Sequence, residues 1–490
     1  MSAYVLYATS CNDCSLTRCD VGCVTFVDML PDDVLLEIFD FCADEVTFTK
    51  EEIEAWQSLV HVCRRWRSIV FGSPRRLNLR LVCSAKTSAK DTLDIWPALP
   101  LIIQESSHLT EGVDNIVALI EHNDRVRQIC LGAQDIRGSQ LDKILAAIQK
   151  PFPELTTLWL KSYGPVAVVP DSFFGGSTPR LERVLLDGIP YPGLPKLLLS
   201  ATHLVHLRLL NIPRSGHISL EAMLTAFTML TNLQLLWLEF QSPRSNHDQE
   251  NRRFPPPTHS ILPVLKELRF KGVSEYLDDL VACIDAPLLF HLSITFFNDT
   301  VFDAPQLVQF VSRTPALTKL EKAGVSFGDG TARVNLSSQA SNYGELNVKI
   351  PCRELDWQVS CLEQICTLCL PPISTLGDLY IYKASYSQLD RQDNIENVLW
   401  LELLHPFTAV KNLYLSKEFA PHIVPALQEL VEGRSTEVLP ALQNIFLEGL
   451  RPSEPAQEGI LQFIAARQVT SYPITVSRWD RDRRKTRTRF

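Results

Sequence analysis

Two hydrophobic rhythms divide this chain. Near the start, Leu30, Val34, Leu35, Ile38, Phe39 and Cys42 recur at helical spacing, with Pro31 suited to a first helical position and Asp32 and Asp33 favouring the positive end of the helix dipole. A second helical stripe follows at Ile53, Trp56, Leu59, Val60, Cys63 and Trp66. It opens on the capping-box pair Thr49 and Glu52, stops at Gly72-Ser73-Pro74, and is long enough to be broken once. Residues 1–26 show no periodicity and read as a disordered, Cys-containing leader, so a helical module is expected over 27–80.

From about Leu101 the rhythm changes to a recurring Leu-x-x-Leu-x-Leu unit. Clear copies stand at Val126/Ile129/Leu131, Leu155/Leu158/Leu160, Leu181/Val184/Leu186, Leu204/Leu207/Leu209, Leu233/Leu236/Leu238, Leu265/Leu268/Phe270 and Leu289/Leu292/Ile294. Three more follow at Leu376/Leu379/Ile381, Val410/Leu413/Leu415 and Leu442/Ile445/Leu447. Adjacent copies lie 23 residues apart at the closest, Leu181 to Leu204, and 34 at the widest, Leu376 to Val410. That is close to the roughly 20 to 29 of a leucine-rich repeat but looser. Two units are weak: at Leu317/Leu320 the third place goes to Lys322, and the copy expected near Leu346 is barely recognisable.

Between copies, residues 140–149, 220–229, 277–284 and 307–312 place apolar side chains three and four apart, as a helix packed on one side does. Strands joined by helical crossovers lie parallel, and a single-layer stack of such units curves. The predicted fold class is α/β: the helical module, then over 95–470 an irregular leucine-rich-repeat solenoid with parallel strands on its concave face and helices on its convex face. Residues 241–263, with their charges and Pro255-Pro256-Pro257, read as an inserted loop, and 471–490 as a basic tail.

Strand alternation turns the residue between the last two leucines away from the core. That position is held by Cys130, Trp159, Leu185, Arg208, Trp237, Arg269, Ser293, Tyr380, Tyr414 and Phe446. Trp, Tyr and Arg dominate interface hot spots, so Trp159, Arg208, Trp237, Arg269, Tyr380, Tyr414 and Phe446 form a candidate substrate-binding face. The alternative is that β-propensity collects aromatics in strands, or that a loop or the tail folds over them.

Composition narrows the class. At 490 residues the chain can hold more than one folding unit, and no run of 18 or more residues lacks a charge, which argues against a transmembrane helix. The first residues lack the basic start and apolar run of a secretory signal, so the thirteen cysteines read as mostly buried thiols of an intracellular protein, cytoplasmic and/or nuclear. The net charge of −9, with basic residues gathered after Arg478, argues against bulk nucleic-acid binding by the body.

The residues Leu30-Pro31-Asp32-Asp33-Val34-Leu35-Leu36-Glu37-Ile38-Phe39, then Val62-Cys63-Arg64-Arg65-Trp66, resemble the F-box: Leu-Pro, an acidic position, a Leu/Ile/Phe helix, then Val-Cys-Arg-x-Trp. The spacer of residues 42–54 is longer than the family pattern. The layout is similar to F-box proteins abundant in mushroom-forming fungi, which pair this module with irregular leucine-rich repeats. The resemblance implies a non-catalytic substrate receptor of a ubiquitin ligase. Leu30, Pro31, Val34, Leu35, Ile38, Phe39, Val62, Cys63, Arg65 and Trp66 would dock on a Skp-type adaptor, and through it on a cullin scaffold, while the repeats hold an unidentified protein target. The alternatives are a plain helical cap on the repeat stack and a protein-binding scaffold acting without a ligase.

No other motif carries chemistry. Cys11, Cys14, Cys19 and Cys23 lack the longer connection that separates the Cys pairs of zinc sites, and His203 with His206 has no third ligand nearby. The sequence shows no phosphate-binding loop, nucleophile elbow or His-Glu-x-x-His, and Gly175-Gly176 and Gly328-Asp329-Gly330 read as turns. Cys63 reads as a small buried hydrophobe in a helix, and the basic tail as a solvated terminus rather than an import signal. No enzyme activity, cofactor or metal is expected.

Overall fold

In the computed structural model the described residues are 29–43, 56–85, 88–105, 112–132, 138–164, 168–243, 259–297, 304–328, 330–338, 344–384, 395–429, 437–449, 455–469 and 474–479. The Cys leader, the Thr49/Glu52 pair and the chain beyond 479 lie outside them. The chain divides into two units at Val82.

Among its described residues the first unit holds three helices, α1 (Asp32–Ala43), α2 (Trp56–Val62) and α3 (Arg64–Gly72). Helix α1 starts where the acidic pair meets the dipole, its first full turn closed by the Leu35 N–H donating to the Pro31 carbonyl at 3.1 Å. The second stripe is broken at Cys63. Its backbone is extended there (φ −157°), and its Sγ accepts the N–H of Trp66 at 3.5 Å. Cys63 is therefore a half-exposed N-cap, not the buried helical filler its neighbours suggested. Leu35, Phe39, Trp56, Val60, Ile69 and Val70 are buried, and the Phe39 ring lies 4.8 Å from Trp66.

A short strand β1 (Leu81–Cys83) follows at the junction. The second unit begins with α4 (Ala89–Ile95), β2 (Leu101–Glu105), α5 (Val113–Ile120), β3 (Val126–Leu131), α6 (Gly138–Ala147), β4 (Thr157–Lys161), β5 (Arg183–Asp187), α7 (Leu194–Leu198), β6 (His206–Ile212), α8 (Leu220–Phe227) and β7 (Leu235–Phe240). It continues through β8 (Ser260–Ile261), β9 (Glu267–Gly272), α9 (Ser274–Ala282), β10 (Ile284–Asp285), β11 (His291–Phe296), α10 (Pro305–Arg313), β12 (Lys322–Gly328), β13 (Thr331–Ser337), β14 (Glu345–Pro351) and α11 (Leu355–Leu368). The last part alternates β15 (Asp378–Lys383), α12 (Asn397–Leu404), β16 (Asn412–Leu415), α13 (Ala420–Glu429), β17 (Asn444–Glu448), α14 (Pro455–Val469) and β18 (Thr475–Trp479).

The unit is mixed α/β, built on one large sheet in the order β2-β3-β4-β5-β6-β7-β9-β11-β14-β13-β12-β15-β16-β17-β18. The repeat leucines are its core. Leu155, Leu158, Leu160, Leu207, Leu236, Leu268 and Leu292 are all buried, each contributing about 1.5–3 kcal/mol relative to exposure. Helices supply the other side of that core through Ile116, Ile144, Leu224, Leu280, Phe310 and Trp400, and successive helices pack on one another.

Three sequence expectations change. The weak repeat region is a meander: β12, β13 and β14 pair antiparallel, with β14 parallel to β11 and β12 parallel to β15. Among the described strands from β2 to β18 of this sheet, β13 alone runs against the others. Its turn passes through Gly330 at φ +73°, which side chains disfavour, and Gly328 pairs with Thr331. The expected loop 241–263 is shorter at its far end, because Ser260–Ile261 pairs parallel with Ile284–Asp285 and Leu262 is buried. Residues 475–479, read as tail, form β18, parallel to β17.

Among the described residues no helix is long and apolar enough to cross a membrane.

Candidate functional site

The residues turned away from the helices form one row in register. Cys130, Trp159, Leu185, Arg208, Trp237, Arg269 and Ser293 are successive partners across β3 to β11. The row then passes through Asn347, Asn335 and Gly324 of the meander and resumes as Tyr380, Tyr414 and Phe446.

The two ends of the row differ. In the first, Trp159 is 45 % exposed, and Trp237 is half-buried between two guanidinium groups, Arg269 at 4.6 Å and Arg208 at 5.8 Å from its ring centroid. The ring quadrupole attracts both cations, about 0.5–1 kcal/mol each at such exposure. The Trp237 indole N–H donates to Glu239 Oε1 at 2.7 Å, and Arg269 is ion-paired with Glu267. Arg208 Nε is buried without a hydrogen bond. Beside it, burial and then the Arg183 and Arg208 charges hold the His206 imidazole below its usual range. Burial pushes the Cys130 thiol up to about 11, so it stays protonated at neutral pH.

At the far end the aromatics stack on each other. Tyr380 and Tyr414 lie 4.1 Å apart at 12°, Tyr414 and Phe446 4.4 Å apart at 9°. Trp479, from β18, tilts onto both tyrosines at 5.8 and 5.6 Å. Tyr380 and Tyr414 are buried in consequence and Phe446 half-buried. The expectation that Tyr380 and Tyr414 offer a contact surface is therefore corrected: the alternative, that a late segment folds over them, is what the chain does.

One register step pair away, towards the strand starts, runs a polar ladder that the sequence reading missed. Asn412 donates to Asp378 Oδ1 at 2.7 Å, Asn444 to Asn412 Oδ1 at 2.7 Å, and the Thr475 hydroxyl to Asn444 Oδ1 at 2.5 Å. An Asn directly before the Leu-x-Leu of consecutive units was the available signal. The same row holds His291 against Glu345, Nδ1 to Oε2 at 3.2 Å, and Asn335 donates to that carboxylate at 3.1 Å.

No family model matches this chain, and no curated protein does. Among solved structures it is similar to the leucine-rich repeat-containing protein LegL7 from Legionella pneumophila, at 11 % identity, over 69 % of this chain and 97 % of that one, with a TM-score of 0.27. A likeness at that score carries no argument; the architecture rests on the strand pairing itself.

In the first unit the ten residues singled out from sequence fall into two sets. Leu35 and Phe39 are buried, and Cys63, Arg65, Trp66 and Leu30 are partly so. Arg65 clamps the helix start, donating to the Leu30 carbonyl and to Asp32 Oδ1 at 2.6 Å. Pro31 is exposed, as are Val34 at 42 %, Ile38 at 44 % and Val62 at 58 %. Val34 and Ile38 stand one turn apart, so they share a face of α1.

A cleft of about 600 Å³ opens at the ends of β4, β5 and β6, lined by Lys161, Tyr163, Asp187 and Asn211 among others. Its polar groups satisfy each other. Buried Asp187 takes the Lys161 ammonium at 2.9 Å and the Asn211 amide at 2.7 Å, and Tyr163 and Asp187 together hold Lys161 above its usual pKa. Among the described residues no three His, Cys, Asp or Glu side chains come together as a metal site would require.

Proposed function

We propose that this chain is the substrate-recognition subunit of a Skp-cullin-F-box type ubiquitin ligase. Its helical module docks on the adaptor, and its repeat face holds a target protein. The chain does no chemistry itself; its contribution is proximity between a target lysine and the charged conjugating enzyme. The observation that carries this reading is the Leu-Pro-Asp-Asp start and Val-Cys-Arg-Arg-Trp close of the module, combined with apolar Val34, Ile38 and Val62 left exposed while Leu35 and Phe39 fill the interior. A soluble helix exposes such a stripe at the expense of solvation unless another surface covers it, and apolar anchors on one helix face are how a groove-binding helix reads.

The test is pull-down of a Skp-type adaptor by the full chain and by the double variant Val34→Asp with Ile38→Asp. Both positions are exposed, so the variant should fold with an unchanged far-UV spectrum while adaptor binding drops at least about tenfold. Retained binding would sink the module assignment.

A second reading is a repeat scaffold acting without a ligase. It is favoured by the Trp237 cluster, which stands on the repeats and needs no adaptor to bind protein. Recovery of partners through the repeat face, with no adaptor or cullin among them, would select it.

A further inference from the structure

Two residues further along the strands than the Trp237 row, the open face carries a second row in register: Glu239, Lys271, Thr295, Lys349, Arg333 and Ser326. Three cations occupy four successive strands. Lys271 and Lys349 are half-buried and Arg333 is exposed. None has a carboxylate within ion-pair distance among the described residues, although the chain carries a net −9 and has acids in surplus.

The nearby acids are engaged elsewhere. Glu239 accepts the Trp237 indole N–H, Glu267 pairs with Arg269, and Glu345 with His291 and Asn335. A row of like charges repels itself and raises the energy of the folded state, and the repulsion is relieved when an anion lies across it. At about 4.8 Å per strand, the row from Lys271 to Arg333 spans roughly 14 Å. That is about four residues of an extended peptide at about 3.3 Å each.

We propose that this row recognises an extended Asp- and Glu-rich segment of a partner protein, its carboxylates paired with Lys271, Lys349 and Arg333 and its flank resting on Trp237 and Arg208. The proposal rests on the reading of the repeat face as protein-binding and names the chemistry of what binds there. A nucleic-acid strand fits less well. Its phosphodiester backbone needs a longer basic track, whereas this one ends at Glu239 and has Glu267 and Glu345 in the row next but one.

The test is fluorescence anisotropy of the full chain with a fluorescein-labelled peptide of alternating glutamate and serine. It is run against the same peptide with glutamine for glutamate, the same peptide with phosphoserine for serine, and a single-stranded RNA of equal charge. The glutamate peptide should bind, the glutamine peptide should bind at least about tenfold more weakly, and Lys349→Glu with Arg333→Glu should lose at least about tenfold. Arg333 is exposed, so Arg333→Gln alone gives a folded variant that must also weaken binding.

Equal binding of the glutamine peptide, undiminished binding by Arg333→Gln, or tighter binding of the RNA would each overturn the proposal. Tighter binding of the phosphoserine peptide, abolished by the same substitutions, would support the cation row and shift its preferred anion from carboxylate to phosphate. Affinity capture from lysate with Trp159→Ala and Trp237→Ala separates the two levels. If those changes strip partners while the glutamate peptide never binds, the acidic-segment proposal fails and the protein-binding face stands. If they strip nothing, that broader reading fails as well.

Discussion

The Trp237 end and the Tyr414 end of the open face occupy the same repeat position, in the same register, on the same sheet, and meet opposite fates. Trp159 and Trp237 meet solvent and guanidinium groups. Tyr380 and Tyr414 meet each other and Trp479. The alternation of a strand settles which face a side chain takes, but what lies over that face is decided by residues far along the chain, here from 380 to 479. An aromatic row is therefore two objects: a surface where, among the described residues, no later segment stacks on it, and a small second core where one does.

The comparison breaks most sharply at Tyr414. Buried and stacked on two sides, it should behave as core, so Tyr414→Ala is expected to cost about 3 kcal/mol or more and to lower the melting temperature clearly. Hydrogen exchange should show the loss concentrated in β15 to β18. A melting curve indistinguishable from the parent would mean that the stack holds nothing together.

The opposite outcome is expected at the other end. Trp159→Ala with Trp237→Ala should change stability by no more than about 1–2 kcal/mol, the value of the cation–π contacts and partial burial, while partner binding falls by about 2 kcal/mol or more. Thermal melting and affinity capture on the same preparation measure both. A collapse in stability larger than that of Tyr414→Ala would reverse the assignment of the two ends.

The polar ladder sharpens the contrast on a smaller scale. Asn444→Ala removes the donor to Asn412, in a partly buried bond, and the acceptor of Thr475, in an exposed one, so about 1 kcal/mol is expected by chemical denaturation. Asn444→Asp keeps the acceptor and should recover about half.

The smallest effect is a pH dependence at the middle of the row. Hydrogen bonding from His291 holds the Glu345 carboxyl below its usual range. The unfolded chain therefore binds more protons than the folded one across the interval below the ordinary Glu value. The stability from this contact is present above about pH 4.5 and lost as pH falls through the lowered value. Glu345 is 40 % exposed, so solvent screening leaves a fraction of a kcal/mol. Urea midpoints of the parent and Glu345→Gln, compared across mildly acid pH, should converge as pH falls. Parallel curves would remove the His291 contact from the account.

Much of this architecture is legible in the sequence, for stated reasons. Leucines at fixed offsets report the core face, and the residue between them reports the other, so the row from Cys130 to Phe446 forms in the register that alternation requires. Leucine spacing stops reporting the fold where another period takes over. Ala323/Val325/Phe327, Ala332/Val334/Leu336 and Leu346/Val348/Ile350 alternate strictly by two around Gly328-Asp329-Gly330, a hairpin signal that in leucine spacing alone has the form of damaged repeats. Alternation places Tyr380 and Tyr414 on the open face, but what lies over them is Trp479, which stands in a stretch that reads as a polar tail. In the first unit, Leu35 and Val34 look alike in sequence, and only the fold separates interior from surface.

Trp479 also has a temporal meaning. Chains fold as they are made, earlier elements first, and each strand of a parallel stack can dock once its neighbour is in place. Tyr380 and Tyr414 leave the ribosome long before the indole that covers them. Until β18 is synthesised and paired with β17, the newborn repeat unit presents an aromatic plate that lacks its Trp479 cover, beside an unpaired strand edge. During that interval the far end is the sticky one, and it is there that a chaperone holding the nascent chain should be found.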